Sequence, residues 1–131
     1  MAGKPNALAE FPIHVSVAAT DLERSRRWYE KKLGLKPERE DPGGAWYRFA
    51  ADTWLYLYGT ASAGTAKNTV AGWTVTGIEA VMAALRARGV VFEEYDFGEL
   101  KTVDCLADFG MAKAAWFKDS EDNTYELSEV R

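Results

Sequence analysis

His14 is the chain's only histidine, and it sits on an alternating stretch whose other face is Ile13, Val15 and Val17. Glu126 occupies a similar place near the far end, between Tyr125 and Leu127. Side chains two apart on a strand share a face, so Ser16 accompanies His14 on the side away from the apolar residues. A carboxylate near an imidazole favours the imidazolium, which suits proton transfer or the anchoring of an anionic ligand. The plainer alternative is that both residues line a wet groove. Trp46 and Arg48 alternate with Tyr47 and Phe49, and Trp116 lies between Ala115 and Phe117. If the latter sets face the core, Trp46, Arg48 and Trp116 line the groove too. Flat aromatic faces there hold planar or cationic molecules by stacking and cation–π contact, each worth about 1 kcal/mol.

The elements that must position these residues occur twice. Thr20 and Glu23 form one expected capping box, and Thr76 and Glu79 form a second 56 residues later. Each follows a short strand pattern (Ile13–Ala18, then Thr69–Val75) and precedes a helix that a glycine stops, Gly34 or Gly89. The first copy continues through Leu35–Glu40, a turn at Asp41-Pro42-Gly43-Gly44, and a hairpin of Ala45–Ala50 with Thr53–Gly59 across Ala51-Asp52. In that hairpin Trp54, Tyr56 and Tyr58 are expected to pack on the first helix, and in the second copy Trp73 is expected in the core. The second copy continues through Val90–Phe97, a long loop over Gly98–Gly110, and Met111–Lys118 paired with Thr124–Glu129. Each copy therefore reads as βαβββ, and the chain as an α+β fold with pseudo-twofold symmetry. The expected limits are one domain over residues 11–130, with module one at 11–59, a linker at 60–68, module two at 69–130 and a leader at 1–10.

At 131 residues one domain suffices, and it can bury roughly two thirds of its unfolded surface. Net charge is −4, and the only basic concentration is Arg24, Arg26 and Arg27 on an exposed helix face, which argues against a nucleic-acid partner. One cysteine, Cys105, excludes an intrachain disulfide and a cysteine-rich zinc site. No apolar run reaches the ~20 residues of a membrane span, and the leader does not read as a signal peptide. A cytoplasmic location is the expectation.

Two stretches resemble the vicinal oxygen chelate superfamily, which includes glyoxalases, extradiol dioxygenases, and fosfomycin- and bleomycin-resistance proteins. One is His14-Val-Ser-Val-x-x-Thr-Asp-Leu-Glu-Arg-Ser-x-x-Trp-Tyr29; the other is Ala115-x-Phe-x-Asp-x-x-Asp-Asn-x-Tyr-Glu126-Leu. Ser120 and Asp122 depart from the usual Pro and Gly of the closing turn, although Asp tolerates positive φ. The resemblance implies paired βαβββ modules, a cleft between curved half-sheets, and commonly a homodimer. In metal-dependent members each module gives one ligand from its first strand and one Glu from its last. Here the implied set is His14, Leu55, Val70 and Glu126: two lone-pair donors and two alkyl groups. Catalytic metal sites usually have three protein ligands. The leading expectation is therefore a metal-independent, bleomycin-resistance-like protein that binds a small aromatic or apolar molecule through Trp46, Arg48, Leu55, Val70, Trp116 and Ser16. The rivals are a metal-dependent lyase, dioxygenase or thiol transferase using His14 and Glu126 with a divalent ion, and a metal-free isomerase using the same pair as acid and base.

Overall fold

The computed structural model describes residues 8–131, so most of the expected leader at 1–10 lies outside the described residues. The first sheet has the order β1-β4-β3-β2, built from β1 (His14–Ala19), β2 (Arg39–Asp41), β3 (Gly44–Phe49) and β4 (Thr53–Gly59). The second has the order β5-β10-β9-β8-β7-β6. It uses β5 (Thr69–Thr74), β6 (Asp96–Phe97), β7 (Leu100–Val103), β8 (Leu106–Asp108), β9 (Ala112–Lys118) and β10 (Thr124–Val130). In each sheet the first strand of the module runs parallel to the last, as a strand–helix–strand unit requires. The α+β class and the duplicated plan stand as expected.

Helix α1 (Leu22–Trp28) passes into a π-helical turn over Tyr29–Leu33 and stops at Gly34, whose φ of 70° is a left-handed cap. Helix α2 covers Ile78–Ala87. Neither helix start is the expected capping box. Asp21, one residue after Thr20, caps α1 by accepting from the Arg24 N–H, while Glu23 pairs with Arg27. Gly77 occupies the α2 cap position and offers no side chain. Glu129 of β10 instead accepts from the Gly77 and Ile78 N–H groups, at 2.6 and 3.0 Å. Those two bonds hold the Glu129 carboxyl below the usual carboxylate range.

The second module departs from the expected loop at 98–110. That stretch forms the β7–β8 hairpin, with Asp104 and Cys105 both at positive φ (52° and 67°), as a type I′ turn needs. Glu94 secures the turn by accepting from the Cys105 N–H at 2.8 Å. Conversely, Val90–Phe97 is a strand only at Asp96–Phe97, apart from one bridge between Phe92 and Phe117.

One core serves both modules. It joins Val17, Ala45, Tyr47, Leu55 and Leu57 of the first sheet to Ala115, Phe117, Tyr125 and Leu127 of the second, with Tyr29, Ile78 and Met82 from the helical segments. Tyr29 is central: its ring lies 5.6 Å from Tyr47 and 6.3 Å from Tyr125. Its hydroxyl donates to Asp119 Oδ2 and accepts from Tyr125, both at 2.6 Å. Asn123 Nδ2 donates to the Ala18 carbonyl, and Glu121 accepts from Arg24 and from the Asp21 N–H. The β9–β10 turn thus ties the second module to the first through buried polar groups. Asp122 in this turn has φ 66°, so Asp does serve where the family motif has Gly.

Burial in this core pushes the Tyr47 phenol up to about 12, and those of Tyr29 and Tyr125 well above their ordinary value. A raised folded-state pKa means stability that is complete below about pH 10 and is lost as pH rises beyond it, because the unfolded chain ionises first. Phenolate absorbance titrated upward is expected to show these three of the six tyrosines ionising only as the chain unfolds. A smooth titration of all six with the fold intact would contradict this packing.

Candidate functional site: an aromatic open face

The side of the first sheet turned away from the core carries three cross-strand rows. Ladder pairing sets Arg39 beside Trp46, Trp46 beside Tyr56, and Tyr56 beside Ser16. The next row is Arg48, Trp54 and His14, and the third is Asp41, Gly44, Tyr58 and Ala18. The rings touch one another. Trp46 stacks on Tyr56 with centroids 4.4 Å apart, Tyr56 lies parallel to Tyr58 at 6.0 Å, and Trp54 meets Trp46 edge-on at 6.3 Å. The His14 imidazole approaches Trp46 edge-on at 5.0 Å. Arg39 lies over the Trp46 ring at 5.4 Å and Arg48 over Trp54 at 5.8 Å. His14, Ser16, Arg39 and Arg48 are exposed, whereas the four large rings are half-buried.

Asp41 organises this face. Its carboxylate accepts from Gly43 N (2.8 Å), Gly44 N (2.9 Å), Tyr56 Oη (3.0 Å) and Trp46 Nε1 (3.3 Å). Burial works to raise the Asp41 pKa, but the hydrogen bonds, led by that from Tyr56, outweigh it and leave the carboxyl below its ordinary value. The Tyr56 phenol is pushed up, first by burial and then by Asp41. The β2–β3 turn, read from Asp-Pro-Gly-Gly, thus fixes two rings of the platform as well as reversing the chain.

This arrangement corrects three expectations. Trp54, Tyr56 and Tyr58 do not pack on the first helix; the alternate residues Leu55 and Leu57 do, and they are fully buried. Leu55 is therefore a core residue and cannot line a groove on the open face. Val70 likewise packs against the core cluster, beside a register shift in the β5–β10 ladder. Gly72, not Val70, lies next to Glu126, just as Ser16 lies next to Tyr56. The ladders therefore make Tyr56, rather than Leu55, the counterpart of Glu126.

Glu126 and Trp116 are cross-strand partners on the open side of the second sheet. Trp116 is mostly buried there, edge-on to Tyr95 at 5.5 Å and packed with Ala107 and Ala114. Glu126 is half-buried. Among the described residues no hydrogen bond joins it to His14, and the two stand on different sheets. His14, Ser16, Trp46 and Arg48 do come together, joined by Trp54, Tyr56 and Tyr58, which the residue patterns assign to the core, by Asp41 of the expected turn, and by Arg39 of the Leu35–Glu40 segment. An apolar cavity of about 230 Å³ between Phe49, Trp73 and Leu85 lies on the helix side, and none of the expected site residues lines it.

Within one chain the implied metal donors are not brought together. His14 and Glu126 offer lone pairs from separate sheets, Val70 offers none, and the Tyr56 hydroxyl is committed to Asp41 in its protonated form. Among the described residues, no three His, Cys, Asp or Glu side chains are grouped to hold a metal. Nor is any helix among them long and apolar enough to cross a membrane.

Three solved structures show how widely this fold recurs. A glyoxalase family protein from Bacillus anthracis superposes with a TM-score of 0.71 at 17% identity, covering 93% of this chain and 96% of its own. TnmS3, an antibiotic binding protein from Streptomyces sp. CB03234, gives 0.67 at 22% identity, covering 93% and 97%. A glyoxalase/bleomycin resistance protein from Catenulispora acidiphila gives 0.68 at 19% identity, covering 93% and 100%. No protein of curated function matches the sequence. The sequence profile of one family matches residues 12–95, a span that holds the first module, α2 and the whole aromatic face. With the duplicated topology, that match makes this chain a member of the glyoxalase/bleomycin resistance protein/dioxygenase superfamily.

Proposed function

We propose that this protein is a small-molecule binder that takes a planar aromatic or otherwise apolar compound onto the Trp46–Trp54–Tyr56–Tyr58 face, without a resident metal. The observation that carries this reading is a contiguous aromatic surface, open on one side and braced at its edge by Asp41. Indoles and phenols left open to solvent in one patch mark a recognition surface more often than an accident of packing. The antibiotic binding protein TnmS3 shares the fold, which supports sequestration as the activity class. The protein acts as a homodimer in which the second copy's Glu126 and Trp116 face closes over the first copy's aromatic face. That closure would supply the wall that a single open sheet lacks.

The test is a titration with 9-anthracenemethanol, read by quenching of tryptophan fluorescence. Saturable quenching is expected, with Trp46→Ala weakening binding about tenfold, as loss of one stacking ring and its neighbours' order implies. Thermal stability should fall only slightly, because Trp46 lies outside the core. Sedimentation should give twice the chain mass. A monomer that still binds tightly would remove the second copy from the site, and the absence of quenching would remove the function.

A further inference from the structure

We infer that the ligand is anionic: a planar aromatic compound carrying a carboxylate, phenolate or similar charge along one edge. This rests on the binding reading above and adds the ligand's charge to it. The two carboxylates on the open face are satisfied within the protein. Asp41 accepts four hydrogen bonds, from Gly43, Gly44, Tyr56 and Trp46. Asp52 accepts from Trp54 Nε1 at 3.0 Å and is paired with Arg48 at 3.1 Å. Four of the donors, in contrast, are free. Among the described residues, the side chains of His14, Ser16, Arg39 and Tyr58 have no hydrogen-bond or ion-pair partner, and all four belong to the three rows of this face.

Arg39 is the decisive one. It lies over the Trp46 ring with its guanidinium unpaired, whereas its neighbour Glu40 points to the other side of the strand and is held by Arg26. A stacked guanidinium keeps its planar fork of donors available to a carboxylate or phenolate at the rim of the ring system. The chain's net charge of −4 gives no general attraction for anions. The preference is therefore local, acting within the Debye length of about 10 Å at 0.1 M salt.

The experiment compares three ligands of one ring system: 9-anthracenecarboxylate, 9-anthracenemethanol and 9-(aminomethyl)anthracene. Each is titrated into the full-length protein at pH 7 by tryptophan quenching. The carboxylate is expected to bind about tenfold more tightly than the alcohol, the size of one hydrogen bond to a charged group, and the ammonium most weakly. Arg39→Gln should bring the carboxylate-to-alcohol ratio close to one, and Arg39→Lys, which keeps the charge but not the planar fork, should restore only part of it; circular dichroism checks that both variants fold. Equal binding of the three, tightest binding of the ammonium, or a ratio that survives Arg39→Gln overturns the inference while leaving the binding function in place. If none of the three binds, both readings fail together.

Discussion

Asp119→Ala is expected to lower the unfolding free energy by about 4 kcal/mol, seen as a reduced urea midpoint with an unchanged slope. Asp119 is almost entirely buried, and its two oxygens accept from four donors: the Glu121 and Asn123 N–H groups, the Asn123 side-chain amide and the Tyr29 hydroxyl. Truncation removes all four bonds at about 1 kcal/mol each, and it leaves buried donors facing a void that cannot accept from them. The loss also has a structural direction. The β9–β10 turn would lose its tie to Tyr29 in the π-helical turn, so protection from amide exchange should fall first at the turn and at Tyr29, before the sheets open. Asp119→Asn keeps the shape and part of the bonding and should cost roughly half as much. A change below about 1 kcal/mol in the Ala variant would mean that the four Asp119 bonds contribute little to holding this turn.

Gly44→Ala is the second large effect, and it reaches the aromatic face directly. Gly44 pairs with Tyr58 across β3 and β4, and it also donates to Asp41. A methyl group there would lie 2.1 Å from the Leu57 carbonyl oxygen and 2.9 Å from the Tyr56 ring. The first of these contacts is with backbone and cannot be relieved by rotating a side chain. The strands must separate, costing about 3 kcal/mol, the upper end for overpacking a well-filled site. Because Asp41, Trp46 and Tyr56 meet at this corner, binding of 9-anthracenemethanol should weaken more than in Trp46→Ala, although no ring has been removed. Wild-type stability with wild-type binding would show that β3 and β4 yield easily at Gly44. The face would then lack the rigidity that a preformed binding surface needs.

Alternation along the strands limits which features are legible in the sequence. Along Thr53–Gly59 the pattern Trp-Leu-Tyr-Leu-Tyr has an apolar residue at every position, so alternation identifies two faces without saying which is buried. Trp54, Tyr56 and Tyr58 share one face, the one expected to pack on the first helix. Beneath β4 the core holds Leu55 and Leu57, packed in one cluster with Tyr29, Tyr47 and Tyr125. The indole and phenol polar atoms also find Asp52 and Asp41 on the open side, where water can reach what those partners leave unsatisfied. The hairpin at Asp104–Cys105 was hidden for another reason. Its two positive-φ residues are not the usual Asn-Gly, and the turn depends on Glu94, which lies 11 residues away.

The duplicated strand–helix units, the stop at Gly34, the Asp-Pro-Gly-Gly turn and the grouping of His14, Ser16, Trp46 and Arg48 on one side of a sheet follow from local rules. Periodicity, capping and turn chemistry act over a few residues and leave their mark in the order of the chain. Tertiary structure alone decided which face of β4 is buried, that Tyr56 rather than Leu55 answers Glu126, and that His14 and Glu126 lie on separate sheets. Those outcomes depend on strand register and on competition for a shared core volume, and both are settled between segments that lie far apart in sequence.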